Sequence, residues 1–302
     1  MNPAPAHRVR TVLGDVDPAA LGRCDAHDHL FLASRLLPGE ELGDEGAARA
    51  ELLAWAGAGG GSLVQWTPRG LRRRADRLPA LSRATGVHLV AATGLHQQVH
   101  HDPRQLRTDL PHLADRFVAD LTTGTTGGGV RAGLVKVAAE GPAPDAVLRH
   151  VLRAAAQACA ATGAPVAVHL EAVSDPRRLL DELGGHGVPP GRVLFGHPAR
   201  PADPAAVPAV VAAGASVVLD AARPGRPGAR TWALLRRLLD AGHADRLLVG
   251  ADTTTASARR DGSAAQALQR FHDRLVREHG ARTAEAVLTR NPARALAAAW
   301  AP

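Results

Sequence analysis

A chain of 302 residues with 45% hydrophobic side chains can bury the core of one large α/β domain or two small ones. No apolar run approaches the roughly 18 residues of a membrane span, MNPAPAHRVR lacks the apolar centre of a secretory signal, and two cysteines cannot build a disulfide scaffold. A net charge of +7 raises the question of nucleic acid, but the arginines are scattered, Tyr is absent and Phe and Trp are few, so platforms for base stacking are scarce. The expectation is a cytoplasmic protein with neither nucleic acid nor membrane as partner. The densest basic run, RGLRRRADR at 69–77, reads as a solvated helix start.

The first predicted strand, RCDAHDHL (23–30), carries His27 and His29 around Asp28. On a strand, residues two apart share a face, so both imidazoles would emerge side by side. SLVQWT (62–67) and VHLVAATG (87–94) follow as strands, the latter leading into LHQQVHH with His96. The glycine-rich TTGTTGGGVRAG (122–133) precedes a strand rather than opening a helix, so it reads as an αβ connection and not a phosphate loop. GLVKVA (133–138) contains Lys136, the single lysine among 36 basic residues. PVAVHL (165–170) ends near His169, RVLFGH (192–197) at His197, ASVVLD (215–220) before the Arg- and Pro-rich AARPGRPGAR, and RLLVGAD (246–252) at Asp252. AEAVLTRNPARALAAAW forms a terminal helical segment. Helical stretches ending in Gly separate the strands, the rhythm of repeated βα units.

Eight strand–helix units in one chain of this length predict a single (β/α)8 barrel domain over 1–302. A doubly wound sheet would carry a Gly-rich turn after its first strand, where this chain carries histidines. Barrel active sites sit at the C-terminal strand ends, and His27, His29, His169, His197 and Asp252 all fall there, with Lys136 inside the fourth strand. His88, His112, His150, His186, His243, His272 and His279 read as ordinary surface residues. An ammonium inside a barrel is costly, and burial lowers its pKa. A neutral lysine amine can add carbon dioxide to give a carbamate, a two-oxygen bridging ligand, which an always-protonated guanidinium cannot. Cys24, near these residues, reads as a packed side chain rather than a nucleophile.

HDH, RAGLVKVA, VHLEA, GHPAR, GADTTT and the closing NPARAL, in this order, resemble the phosphotriesterase family of the amidohydrolase superfamily, which includes the phosphotriesterase-related proteins and phosphotriesterase-like lactonases. The similarity extends to VRTVLGDVDPAALGR and VQWTPRGLRRRADRLPALSRATGVHLVAATG. The resemblance implies a metallo-dependent hydrolase barrel with two divalent ions, usually zinc. His27, His29 and Asp252 would hold the buried ion, and His169 and His197 the more exposed one. N6-carboxylysine at Lys136 and a hydroxide would bridge them, the hydroxide cleaving lactones, carboxylic esters or organophosphate triesters while Asp252, the catalytic residue, accepts its proton. It also suggests a homodimer. Departures bear on the substrate, expected to be a small ester or lactone. HDH replaces HEH, with the middle residue facing away from the ions. His96 stands where many lactonases carry Tyr, GHPAR lacks an acidic residue after its histidine, and Arg223, Arg226 and Arg230 are candidates for the pocket mouth. The alternatives are a TatD-like metal-dependent nuclease, against which Lys136 counts because that group places glutamate there, and a non-catalytic metal-binding barrel.

Overall fold

The computed structural model describes residues 7–125, 129–203, 205–221 and 228–300. A short antiparallel hairpin, β1 (Val9–Thr11) and β2 (Gly14–Val16), precedes eight parallel strands. These are β3 (Arg23–Asp28), β4 (Gly60–Gln65), β5 (His88–Gly94), β6 (Leu134–Ala138), β7 (Val166–His169), β8 (Val193–Gly196), β9 (Ser216–Asp220) and β10 (Leu247–Gly250). Each pairs with the next in chain order, and beyond the last strand the Asp252 amide donates to the His27 carbonyl at 2.9 Å. The sheet thus curls back on its first strand as a TIM barrel, with all eight predicted strands present.

Strand alternation sorts the side chains into two layers. Leu63, Leu89, Val135, Val137, Val166, Val168, Val193, Phe195, Val217, Leu219, Leu247 and Val249 face outward onto the helices. Cys24, Ala26, Val64, Val90, Ala92, Leu134, Ala167, Leu194, Val218 and Leu248 face inward, closed below by Val9, Leu21 and Leu296. The inward layer is small at Ala26, Ala92 and Ala167, which suits the narrow interior. Lys136 lies two residues beyond Leu134 and shares its inward phase. Its lateral neighbours in register are Gly94 and Ala167.

The seam between β10 and β3 depends on Gly250. A Cβ there would lie 2.6 Å from the His27 backbone nitrogen, oxygen and Cβ, closer than packed atoms approach. Gly250→Ala is expected to destabilise the barrel by about 3 kcal/mol through overpacking, measurable by urea denaturation. An unchanged midpoint would show that the seam can open without loss.

The basic run at 69–77 is not a solvated helix start. It follows β4 as an irregular segment, with Arg72 and Arg74 in the left-handed region, and Ala75–Arg77 makes a single 3-10 turn. Arg69 and Arg73 turn inward to pair with the buried Asp120, each at 2.9 Å, and Thr93 Oγ1 donates to the same carboxylate at 2.6 Å. A buried carboxylate needs such donors, so these cations serve an interior partner. The terminal segment forms helical turns through Leu296, and Asn291 Nδ2 donates to the carbonyls of Ala244 and Leu247. Among the described residues, no helix is long and apolar enough to cross a membrane.

Candidate active site

Five of the six predicted groups lie at or just beyond strand ends, on one rim of the barrel. His27 is the penultimate residue of β3 and His29 follows that strand. His169 ends β7, His197 follows β8, and Asp252 stands two residues past β10. His197 and Asp252 have left-handed backbones, φ 58° and 51°, a conformation costing roughly 1 kcal/mol or more outside glycine. The network around Asp252 holds it there. Ala251 and Thr253 donate their amides to Asp25 Oδ1 at 3.1 Å and Asp28 Oδ1 at 2.6 Å. Asp28 also accepts from the His29 amide at 2.9 Å, so the middle residue of HDH, fully buried, ties the first strand to the last.

Asp252 Oδ1 lies 3.4 Å from His27 Nε2 and 3.6 Å from His29 Nε2, and its Oδ2 lies 3.9 Å from His197 Nδ1. His27, His197 and Asp252 offer ligand atoms within 4.8 Å of one another. The His169 ring stands 4.4 Å from that of His197 and 5.0 Å from that of His96. Lys136 Nζ lies 2.8 Å from His96 Nδ1.

Burial governs the charge of this cluster. Desolvation pushes His27, His96 and His169 well below the ordinary imidazole range, and neighbouring cations deepen the effect. It brings the Lys136 amine down to about 7 against the opposing pull of Asp252 and Glu171. His27, His96 and His169 are therefore neutral imidazoles with available lone pairs, beside a deprotonable amine and a buried carboxylate. His27 Nδ1 is buried without a hydrogen-bond partner, while its ring stacks on Trp66 at 3.8 Å. Nitrogen and carboxylate donors in this mix suit zinc or another borderline divalent ion, and the residues present fit such ions.

Hydrogen bonds to one ring nitrogen of each orient the imidazoles of His29, His169 and His197. Thr67 Oγ1 donates to the Phe31 carbonyl at 2.6 Å, so it accepts from His29 Nδ1–H at 2.7 Å, which leaves Nε2 the lone pair toward Asp252. Asp220 receives His197 Nδ1 at 2.9 Å and 3.0 Å. His169 Nε2 meets Glu171 Oε1 at 2.8 Å, and Arg200 Nη1 donates to Glu171 Oε2 at 3.2 Å.

His96, expected as a substrate contact, lies directly on the lysine. Arg223 and Arg226 fall outside the described residues. Arg230 is exposed, its guanidinium 3.5 Å from the Pro201 carbonyl. Burial pushes the Cys24 thiol up to about 12, so it is a packed side chain. Glu171, Arg200 and Asp220 were not singled out from sequence. Glu171 and Arg200 lie within VHLEA and GHPAR, and Asp220 ends a predicted strand, the position where a barrel places reactive groups.

A profile of the phosphotriesterase family matches residues 7–294. The phosphotriesterase homology protein of Mycobacterium tuberculosis is 31% identical over 265 residues, 81% of this chain and 80% of its own. An N-acetyltaurine hydrolase of Tetraodon nigroviridis is 31% identical over 216 residues, 59% of this chain and 62% of its own. Among solved structures, a lactonase from Listeria monocytogenes has the same fold, with a TM-score of 0.88 over 96% of this chain and 98% of its own at 22% identity. A variant of the organophosphorus hydrolase from Deinococcus radiodurans matches with a TM-score of 0.84 at 25% identity, over 97% of this chain and 99% of its own. From the match along nearly its whole length, the chain belongs to the phosphotriesterase family.

Proposed function

We propose that this protein is a hydrolase dependent on two divalent ions, zinc being the best chemical match, that cleaves lactones or carboxylic esters, with organophosphate triesters as further substrates. The observation that carries the reading is the convergence of four imidazoles and one carboxylate on one rim of the barrel, with the only lysine of the chain facing inward from β6. Bound there, the ions would supply Lewis-acid polarisation of the scissile group and a lowered pKa for water. His27, His29 and Asp252 would hold one ion and His169 and His197 the other. The Lys136 amine, its pKa lowered by burial to about 7, would add carbon dioxide with release of one proton, giving a carbamate whose single negative charge is shared by two oxygens able to serve as ligands. Asp252, close to imidazoles of both sets, is the carboxylate placed to accept a proton from the attacking water.

The same reading takes a small-molecule substrate and a homodimer in solution, with no nucleic-acid or membrane partner. The test is metal content together with turnover on a panel of lactones, aryl esters and phosphotriesters, with N-acetyltaurine added because several relatives carry that activity in their names. Two ions per chain are expected, with turnover of a lactone or ester that a chelator abolishes and zinc restores. A folded, metal-loaded protein inert toward the whole panel would overturn the reading, and DNA cleavage would favour a nuclease.

A further inference from the structure

His169 and His197 each carry a carboxylate on one ring nitrogen, but through opposite atoms, Nε2 for His169 and Nδ1 for His197. The carboxylate on His169 belongs to Glu171, two residues along the same chain segment. A turn fixes its backbone: the Glu171 amide donates to Ser174 Oγ at 2.9 Å, and the Ser174 amide donates back to the Glu171 carbonyl at 3.1 Å. Arg200 holds its second oxygen. The Arg200 backbone hangs on the neighbouring ligand, its amide donating to the His197 carbonyl at 2.9 Å. Glu171 and Arg200 are 37% and 31% exposed at the side chain, and an ion pair that wet contributes little to folding. What it does restrain is an imidazole.

We propose that Glu171, braced by Arg200, is a positioning residue that fixes the tautomer of His169. An ionised carboxylate only accepts hydrogen bonds, so Oε1 at 2.8 Å requires the proton on Nε2 and leaves the lone pair on Nδ1. Arg200 Nη1 also lies 3.4 Å from Nε2, but its closer contact is Glu171 Oε2 at 3.2 Å, which keeps both oxygens of the carboxylate engaged. Carboxylates behind metal-binding imidazoles set ring orientation and raise basicity. At the exposed end, where His169 and His197 are the only imidazoles assigned, a wrongly protonated ring would weaken the second ion. That consequence rests on the proposed function; the tautomer itself does not.

Glu171→Gln gives a sharp test because it keeps the shape and changes the donors. Gln has one side-chain oxygen, which the Arg200 guanidinium claims. Its NH2 then faces Nε2, which must accept, and the proton moves to Nδ1. In the chelator-stripped full-length protein, long-range 1H–15N NMR should show His169 as the Nε2–H form in the wild type and the Nδ1–H form in Glu171→Gln. Zinc titration of both proteins should show the second equivalent binding about 10- to 100-fold more weakly in the variant, and Glu171→Ala, which leaves Nε2 facing only the Arg200 donor, should weaken it as well. A purely structural role would leave Glu171→Gln unchanged on both measures. A wild-type Nδ1–H tautomer overturns the proposal, as does Glu171→Gln retaining Nε2–H and the second zinc within twofold. Should the wild type take up no zinc while Glu171→Gln still reverses the tautomer, the metal reading falls and the positioning role stands.

Discussion

Lys136→Met is expected to leave the barrel folded and to lower kcat/KM by about 10³-fold, the scale on which a single group aimed at developing charge contributes to catalysis. Methionine matches the lysine stem in length and apolar character, and the flanking Gly94 and Ala167 leave its path clear. The amine it removes is 2% exposed and contacts His96 Nδ1, so a neutral thioether in its place relieves an unfavourable burial. The pH dependence gives a check on stability. In the metal-free protein the folded lysine titrates near 7 and the unfolded one near 10.5, so over that interval the unfolded chain binds more protons and wild-type stability rises with pH. The advantage of Lys136→Met should therefore be full below about pH 7 and fade toward 10.5. Urea midpoints across pH and zinc content by elemental analysis separate this result from unfolding. A variant that keeps two ions and a tenth of the activity would contradict the role given to the lysine.

Asp252→Asn should be as damaging to catalysis, about 10³-fold or more in kcat/KM, yet nearly silent in stability. Asparagine is among the few residues that tolerate the left-handed backbone found at Asp252. The Asp252 amide donated to the His27 carbonyl and the Thr253 amide donated to the Asp28 carboxylate do not involve the Asp252 side chain and are untouched by the change. What disappears is the anion between His27, His29 and His197, and with it the proposed cation ligand and proton acceptor. Asp252→Ala should show the same kinetic loss plus about 1 kcal/mol of destabilisation from the strained backbone. Steady-state kinetics beside thermal melting resolve the two effects; near-normal turnover by Asp252→Asn would remove Asp252 from the chemistry.

Much of this architecture is legible in the sequence because barrels encode it locally. Short β-branched runs between Gly-terminated helices define the eight strands, and strand ends are where a barrel places reactive groups, so His169, His197 and Asp252 could be found without coordinates. The first strand is shorter than expected, ending at Asp28, so His29 reaches the cluster from the following residue rather than by strand alternation. Arg69 and Arg73 were misread for a different reason. A charge run looks solvated unless its counterion is known, and Asp120 lies 47 residues beyond Arg73. Glu171 and Arg200 are 29 residues apart, a separation at which no local pattern announces an ion pair. His96 was placed near the site by its position after β5, but its contact with Lys136 depends on how a loop folds over the rim.

The hydrogen bond from Asp252 to His27 joins the first barrel strand to the segment after the last. The residues that would grip the inner ion are therefore drawn from both edges of the seam, more than two hundred positions apart along the chain. A polypeptide still emerging from the ribosome owns His27 and His29 early but has nothing to set against them until Asp252 is synthesised. The proposed activity would then switch on late and at once, with final closure of the cylinder, and no N-terminal fragment ending before that carboxylate should show it.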